Sequence, residues 1–243
     1  MKRILVSLLL IACVPAGAQT AWLLGELHDQ PDHQRQAAQI VDELAVQGRL
    51  QALVLEMAER GRHTHGLPRD AGEAQVREAL AWHEPAWPWA AYGPVVMAAV
   101  RAGVPVQGGN LPRAELRAAM GQARWDDTVP ASARERLVDA VRDGHCGLVP
   151  EAQLPAMARM QIARDDALAA TIAASARGAS PEAVVLLLTG ASVFAAFGPR
   201  RRALAPAAPG PGPGGAQHRL GPRRPARAGR LRRTPLRPEP TLA

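Results

Sequence analysis

Four short apolar runs, separated by stretches with helical spacing, constrain this chain more than any other feature. They fall at residues 22–25, 52–55, 104–106 and 183–188, and each stops at or leads into glycine or polar residues. Runs this short and this apolar suit strands covered on both faces. After the first, Pro31 stands at the first turn of a helix with Asp29 or Gln30 as its cap. Ala37, Ala38, Ile40, Val41, Leu44 and Ala45 then recur with helical period until Gly48. The same reasoning predicts helices over about 73–82, 94–102, 112–120, 130–142 and 151–177, with a loop over 58–72. Strands alternating with helices imply an α/β fold, with a parallel sheet of about four strands flanked by helices.

The two ends of the chain read differently from its body. Lys2 and Arg3 precede an apolar run over 4–12, and Ala16-Gly17-Ala18 follows. This is the charged start, apolar middle and small-residue cleavage site of a secretory signal peptide over 1–18. The run is shorter than the roughly 20 residues of a stable membrane span. Leu10-Ile11-Ala12-Cys13 also reads as a lipobox with lipidation at Cys13, so a lipid-anchored product competes with a freely exported one. Residues 19–190 form the α/β domain. Residues 191–243 hold 10 Pro and 7 Gly, which predicts a disordered Arg/Pro/Gly-rich tail. Out-of-frame GC-rich DNA encodes the same composition, so a frameshift competes with a genuine tail.

The formal net charge of +7 points to a nucleic-acid partner only superficially. The tail carries 11 Arg against one acidic residue, whereas the first 190 residues carry 18 basic against 21 acidic ones. The body is therefore mildly acidic, and a nucleic-acid role is not expected.

Ligands of open parallel sheets collect outside the carboxyl ends of the strands. Here those ends lead to Glu26 and His28, to Glu56 and to Asn110. A histidine with two carboxylates suits general acid–base work or a divalent metal held by Glu26, His28 and Glu56, and a metal-dependent hydrolase follows as one function. A second cluster, over 82–92, gathers Trp82, His83, Trp87, Trp89 and Tyr92, three of the five Trp and the single Tyr of the chain. It reads either as a packed lid or as a platform for a flat apolar ligand whose iron a phenolate, histidine or carboxylate ligates. His145-Cys146-Gly147 precedes the long helix with Met157, Met160, Gln161, Arg164 and Asp165. His63 and His65 lie in a polar loop, suited at most to adventitious metal.

Several of these segments form an ordered series. Leu24-Gly25-Glu26-Leu27-His28-Asp29, Val54-Leu55-Glu56-Met57, the segment from Trp89 to Tyr92 with Pro94, and Gly103-Val104-Pro105-Val106 leading to Gly109-Asn110-Leu111-Pro112-Arg113 resemble the ChaN-like haem-binding uptake family. So do His145-Cys146-Gly147 and the residues Leu154-Pro155, Met157, Gln161 and Ala163-Arg164-Asp165. The resemblance covers residues 22 to about 190 and places the chain in the Tiki/TraB/erythromycin-esterase-like superfamily. It implies an exported, often lipid-anchored periplasmic or outer-membrane protein that binds ferric haem for iron uptake, and so a binding protein more than an enzyme. It implies a homodimer that binds haem at its interface, with a tyrosine on the iron and a histidine near the propionates. Tyr92 is the tyrosine this sequence offers, with His83 and His145 as candidates for the secondary role. The superfamily's second Gly-x-x-His is replaced by Gly190-Ala191-Ser192-Val193. An inactive frameshifted relative is therefore a further reading.

Overall fold

A computed structural model describes residues 20–190 and 217–219. The expected signal peptide, Cys13, the motif after Gly190 and the tail apart from residues 217–219 lie outside the described residues. In chain order the elements are β1 (Thr20–Glu26), α1 (Pro31–Val46), β2 (Leu50–Glu59), α2 (Glu73–Ala79), α3 (Trp89–Arg101), β3 (Val106–Asn110), α4 (Arg113–Met120), α5 (Ala131–Gly144), α6 (Leu154–Ser175), β4 (Val184–Gly190) and β5 (Gln217–Arg219). Short 3-10 turns precede α5 (Ala123–Asp127) and α6 (Glu151–Gln153).

The sheet is parallel throughout, in the order β3-β2-β4-β1-β5. β1 to β4 are the four strands the apolar runs predict. β5 comes from the segment read as tail and pairs with Leu23 to Gly25 of β1. It satisfies backbone groups that would otherwise be open along that edge.

Alternation along the strands divides the apolar residues between two cores. Leu24, Leu53, Leu55, Leu186 and Leu188 pack with α1 and α3 on one face. Leu23, Ala52, Val54, Val185 and Leu187 pack against Leu168 and Ile172 of α6 on the other. The earlier turns of α6 carry a third cluster, in which Ile162 and Ala158 meet Leu116 of α4, Trp125 and Leu137 of α5.

Three elements depart from the sequence expectation. The third strand starts at Val106 and runs through Gly108 and Gly109 to Asn110, rather than occupying 104–106. The cause lies in β2, whose pairing with β3 shifts register between Leu55 and Glu59. The irregularity brings the Glu59 carbonyl oxygen to where a Cβ on Gly108 would sit, so only glycine permits the approach. β2 itself runs to Glu59, so the loop begins later than 58. The helix expected over 94–102 begins at Trp89, with Pro88 as its cap and Pro94 in its interior. Among the described residues, no helix is long and apolar enough to cross a membrane.

Candidate functional site

From β1 the chain crosses past β4 to reach β2, continues outward to β3, and then returns to form β4. Such a reversal of direction in a parallel sheet opens a crevice at the carboxyl ends of the strands. Glu26 closes β1, Glu56 lies near the end of β2, and Thr189 and Gly190 close β4 between them.

Glu26 is buried, and both of its oxygens are engaged. Oε1 accepts the Tyr92 hydroxyl at 2.6 Å and lies 2.6 Å from Nδ1 of His28. Oε2 accepts a hydrogen bond from the Gln34 side chain on α1. Gln34 is a site residue that the sequence reading missed. Its signal was present, because it falls on the same helix face as Ala37, Val41 and Leu44, where a polar side chain needs a buried partner.

Tyr92 projects from α3 and is 1% exposed. Burial, reinforced by its bond to Glu26, pushes the phenol far above its ordinary pKa. His28 is different, with its side chain 43% exposed in the loop after β1. Burial of part of the ring pulls its pKa down, but the hydrogen bond to Glu26 and the charge of Glu56 outweigh this and raise it. Its Nδ1 is tied to Glu26, and its Nε2 lies on the side of Gly190. A Cβ at Gly190 would lie 3.1 Å from that Nε2 and 3.6 Å from Glu56 Oε2. Glycine at the end of β4 thus lets the imidazole and Glu56 approach that strand closely.

Glu56 is buried beside the same glycine. Oε1 accepts Arg164 of α6 at 2.7 Å, and Oε2 accepts the Thr189 hydroxyl at 2.6 Å and the Gly190 amide at 2.7 Å. Burial alone would raise its pKa, but the Arg164 charge and these hydrogen bonds hold it below the ordinary carboxylate range. The structure thus gathers Glu26, His28 and Glu56 as their strand ends predict. Asn110 does not join them through its side chain. Its Nδ2 donates to the Glu56 main-chain carbonyl at 3.0 Å, so it braces β2.

No group of three or more His, Cys, Asp or Glu side chains is arranged to hold a metal ion among the described residues. The hydrogen-bond partners explain why for the expected trio: all four carboxylate oxygens of Glu26 and Glu56 are already taken. The divalent metal expected at Glu26, His28 and Glu56 does not fit this donor set.

The aromatic segment lies against the same edge. Trp87 meets His28 edge-on at 4.8 Å and Tyr92 at 5.9 Å. Trp82 packs against Trp89 at 5.0 Å and donates its indole N–H to the Trp87 carbonyl at 2.7 Å. Trp89 and Tyr92 belong to the core, whereas Trp82 and Trp87 are half-buried at its rim. The segment is therefore both packed lid and aromatic wall.

The remaining candidates are dispersed. His83 is exposed in the loop before Trp87, and its carbonyl accepts the Ala86 and Trp87 amides. His145 caps α5, with Nδ1 2.7 Å from the Val141 carbonyl, and belongs to the helical layer rather than the strand-end edge. His63 and His65 stack edge-on at 4.9 Å after β2.

A family model described as haem-binding uptake, Tiki superfamily, ChaN matches residues 16–192. A solved structure concerned with cofacial heme binding to ChaN of Campylobacter jejuni is similar in fold, with a TM-score of 0.54 and 22% identity, covering 71% of each chain. No curated protein matches the chain.

Proposed function

The chain belongs to the ChaN haem-binding uptake family of the Tiki superfamily, and from that membership we propose that it binds ferric haem at the carboxyl edge of its sheet and serves haem uptake. The observation that carries the location is the half-exposed His28 imidazole, anchored from behind by Glu26 and flanked by the Trp87 ring. A flat apolar macrocycle needs aromatic area and one metal-ligating atom, and this edge supplies both. The neighbouring Leu27 is 48% exposed, which adds apolar surface beside the imidazole. Haem is cargo in this reading, and its iron needs only a ligand and a dry face.

Export is part of the proposal and rests on the charged start and apolar run before Ala18, with or without lipidation at Cys13. A homodimer, and a secondary role for exposed His83 or for His145, rest on the family resemblance.

The test is a titration of the full chain with ferric haem, followed by absorbance. The expected result is saturation at a defined ratio, with a Soret band distinct from free haem. Trp87→Ala is expected to weaken binding, on the order of tenfold for the loss of one aromatic contact. Binding that rises without saturation, as on any apolar surface, would remove the proposal.

A further inference from the structure

We infer that His63 and His65, with Gln107 beside them, form a surface site for a borderline divalent metal ion, copper(II) ahead of nickel(II) and zinc(II). The site lies on the outer edge of β3, away from the strand ends that carry Glu26, His28 and Glu56, and does not depend on haem binding.

The stretch expected as an open loop has a fixed course. After β2 the chain turns across the end of β3 and returns along its outer side. The Arg60 amide donates to the Asn110 carbonyl at 2.6 Å, the Gly108 amide to the Arg62 carbonyl at 2.8 Å, and the Thr64 amide to the Val106 carbonyl at 2.9 Å. The Val106 amide donates in return to the Thr64 hydroxyl at 2.9 Å. His63 comes to lie antiparallel and directly opposite Gln107. Alternation along this edge then sorts the side chains. Thr64 is buried, whereas His63 and His65 are exposed and stand together on the other face. Arg62 alternates to the face of Thr64, and Arg60 is drawn to Glu115 at 3.4 Å.

The two imidazoles meet edge-on with ring centres 4.9 Å apart. Metal–nitrogen bonds of about 2.0–2.1 Å put two imidazoles on one ion with ring centres roughly 4.5–5.2 Å apart, for angles of about 90–110° at the metal. The backbone therefore holds the rings at the separation a shared ion needs, and ring rotation is what remains to aim a nitrogen of each. Those nitrogens are available. His28, His33 and His145 each have a ring nitrogen tied within the protein, and neither His63 nor His65 has a hydrogen bond or ion pair among the described residues. Gln107 forms the non-hydrogen-bonded pair with His63, the kind in which side chains lie closest, so its amide oxygen is the third donor.

The donors select the ion. Imidazole suits copper, nickel and zinc, whereas calcium and magnesium call for carboxylates, and copper(II) heads the affinity order. Two imidazoles and an amide leave coordination positions for water, so the ion is exchangeable rather than structural.

The experiment is a copper(II) titration of the full chain, followed by calorimetry and electron paramagnetic resonance. A Cys146→Ser background removes the exposed thiol that copper would oxidise. The expected result is one saturable first equivalent whose spectrum shows two coordinated nitrogens, with nickel(II) and zinc(II) weaker and magnesium without effect. His63→Asn and His65→Asn should each weaken that equivalent about a hundredfold, the loss of one of two tethered ligands. Gln107→Ala should weaken it less, and a Gln107→Ala variant that binds like its parent would overturn the role of the amide. Circular dichroism checks that each variant is folded, and the nitrogen count of the parent decides on its own if one is not. Copper spread over several weak sites with no first equivalent, a single coordinated nitrogen, or a first equivalent unchanged in either histidine variant would overturn the site and leave adventitious metal only.

Discussion

Glu56 shows what a buried charge at a strand end demands. Its carboxylate is 3% exposed and carries three hydrogen bonds, from Arg164, Thr189 and Gly190. Removing its charge leaves the Arg164 guanidinium, itself only 17% exposed, without a counter-ion. Breaking a buried pair from one side typically costs about 3–5 kcal/mol. Glu56→Gln should therefore lower the urea unfolding free energy by roughly that amount at neutral pH. The pH dependence follows from the lowered pKa of Glu56. A carboxyl held below its unfolded value stabilises fully above about pH 4.5 and loses that contribution as pH falls toward its folded value. The stability gap between wild type and Glu56→Gln should close on acidification through that window, and a gap that stays constant down to pH 3 would mean the pair is not ionic. The sequence made Glu56 a candidate because polar residues at the end of an apolar strand need a reason. It could not pair Glu56 with its partners, since Arg164, singled out only as part of the long helix, and Thr189 lie 108 and 133 positions away. No local spacing encodes such contacts.

At the level of elements, the junction of β2 and β3 deserves the closest test. The register shift between Leu55 and Glu59 brings two main chains together at Gly108. A methyl group there meets a carbonyl oxygen rather than a side chain that can turn aside. Gly108→Ala should cost about 1–3 kcal/mol, the usual range for overpacking, read as a lower midpoint in thermal unfolding. Gly121→Ala is the control, because the nearest atom to a Cβ there lies 3.7 Å away, an ordinary contact. This junction also explains why β3 was the hardest strand to place. Two consecutive glycines have low strand propensity, and what holds them in the sheet is the close approach of β2, which sequence pattern does not reveal. The start of α3 was hidden for a related reason. Pro94 has the signature of a first helical turn, but Pro88 and Glu84, which accepts the Trp89 amide at 3.0 Å, start the helix earlier. By contrast, β1, β4 and α1 were legible because burial on both faces, or on one stripe, leaves an unbroken apolar record.

For the whole molecule, the alternation of strands and helices fixed the class of fold but not the order of the strands or the division into layers. That division has a mechanical consequence. The sheet shares one core with α1 and α3 and a second with the later turns of α6. α4 and α5 instead bury Leu116, Trp125 and Leu137 against the earlier turns of α6. Arg60 on the β2 side reaches Glu115 of α4 at 3.4 Å, an exposed ion pair of the kind that contributes little. The helical layer is thus joined to the sheet mainly through a single helix. Units that share few buried contacts open separately, at lower free energy than the global transition. Native-state hydrogen exchange should therefore find α4 and α5 opening before β1, β2 and β4. Leu137, 2% exposed in that layer, provides the discriminating variant. Leu137→Ala removes about 2–5 kcal/mol of packing at its site. If the layer is a separate unit, that loss should speed exchange in α4 and α5 while leaving protection at Glu26, Glu56 and Thr189 nearly unchanged. If exchange rises equally across the sheet, the two layers unfold as one body, and the strand-end site is coupled to every element behind it.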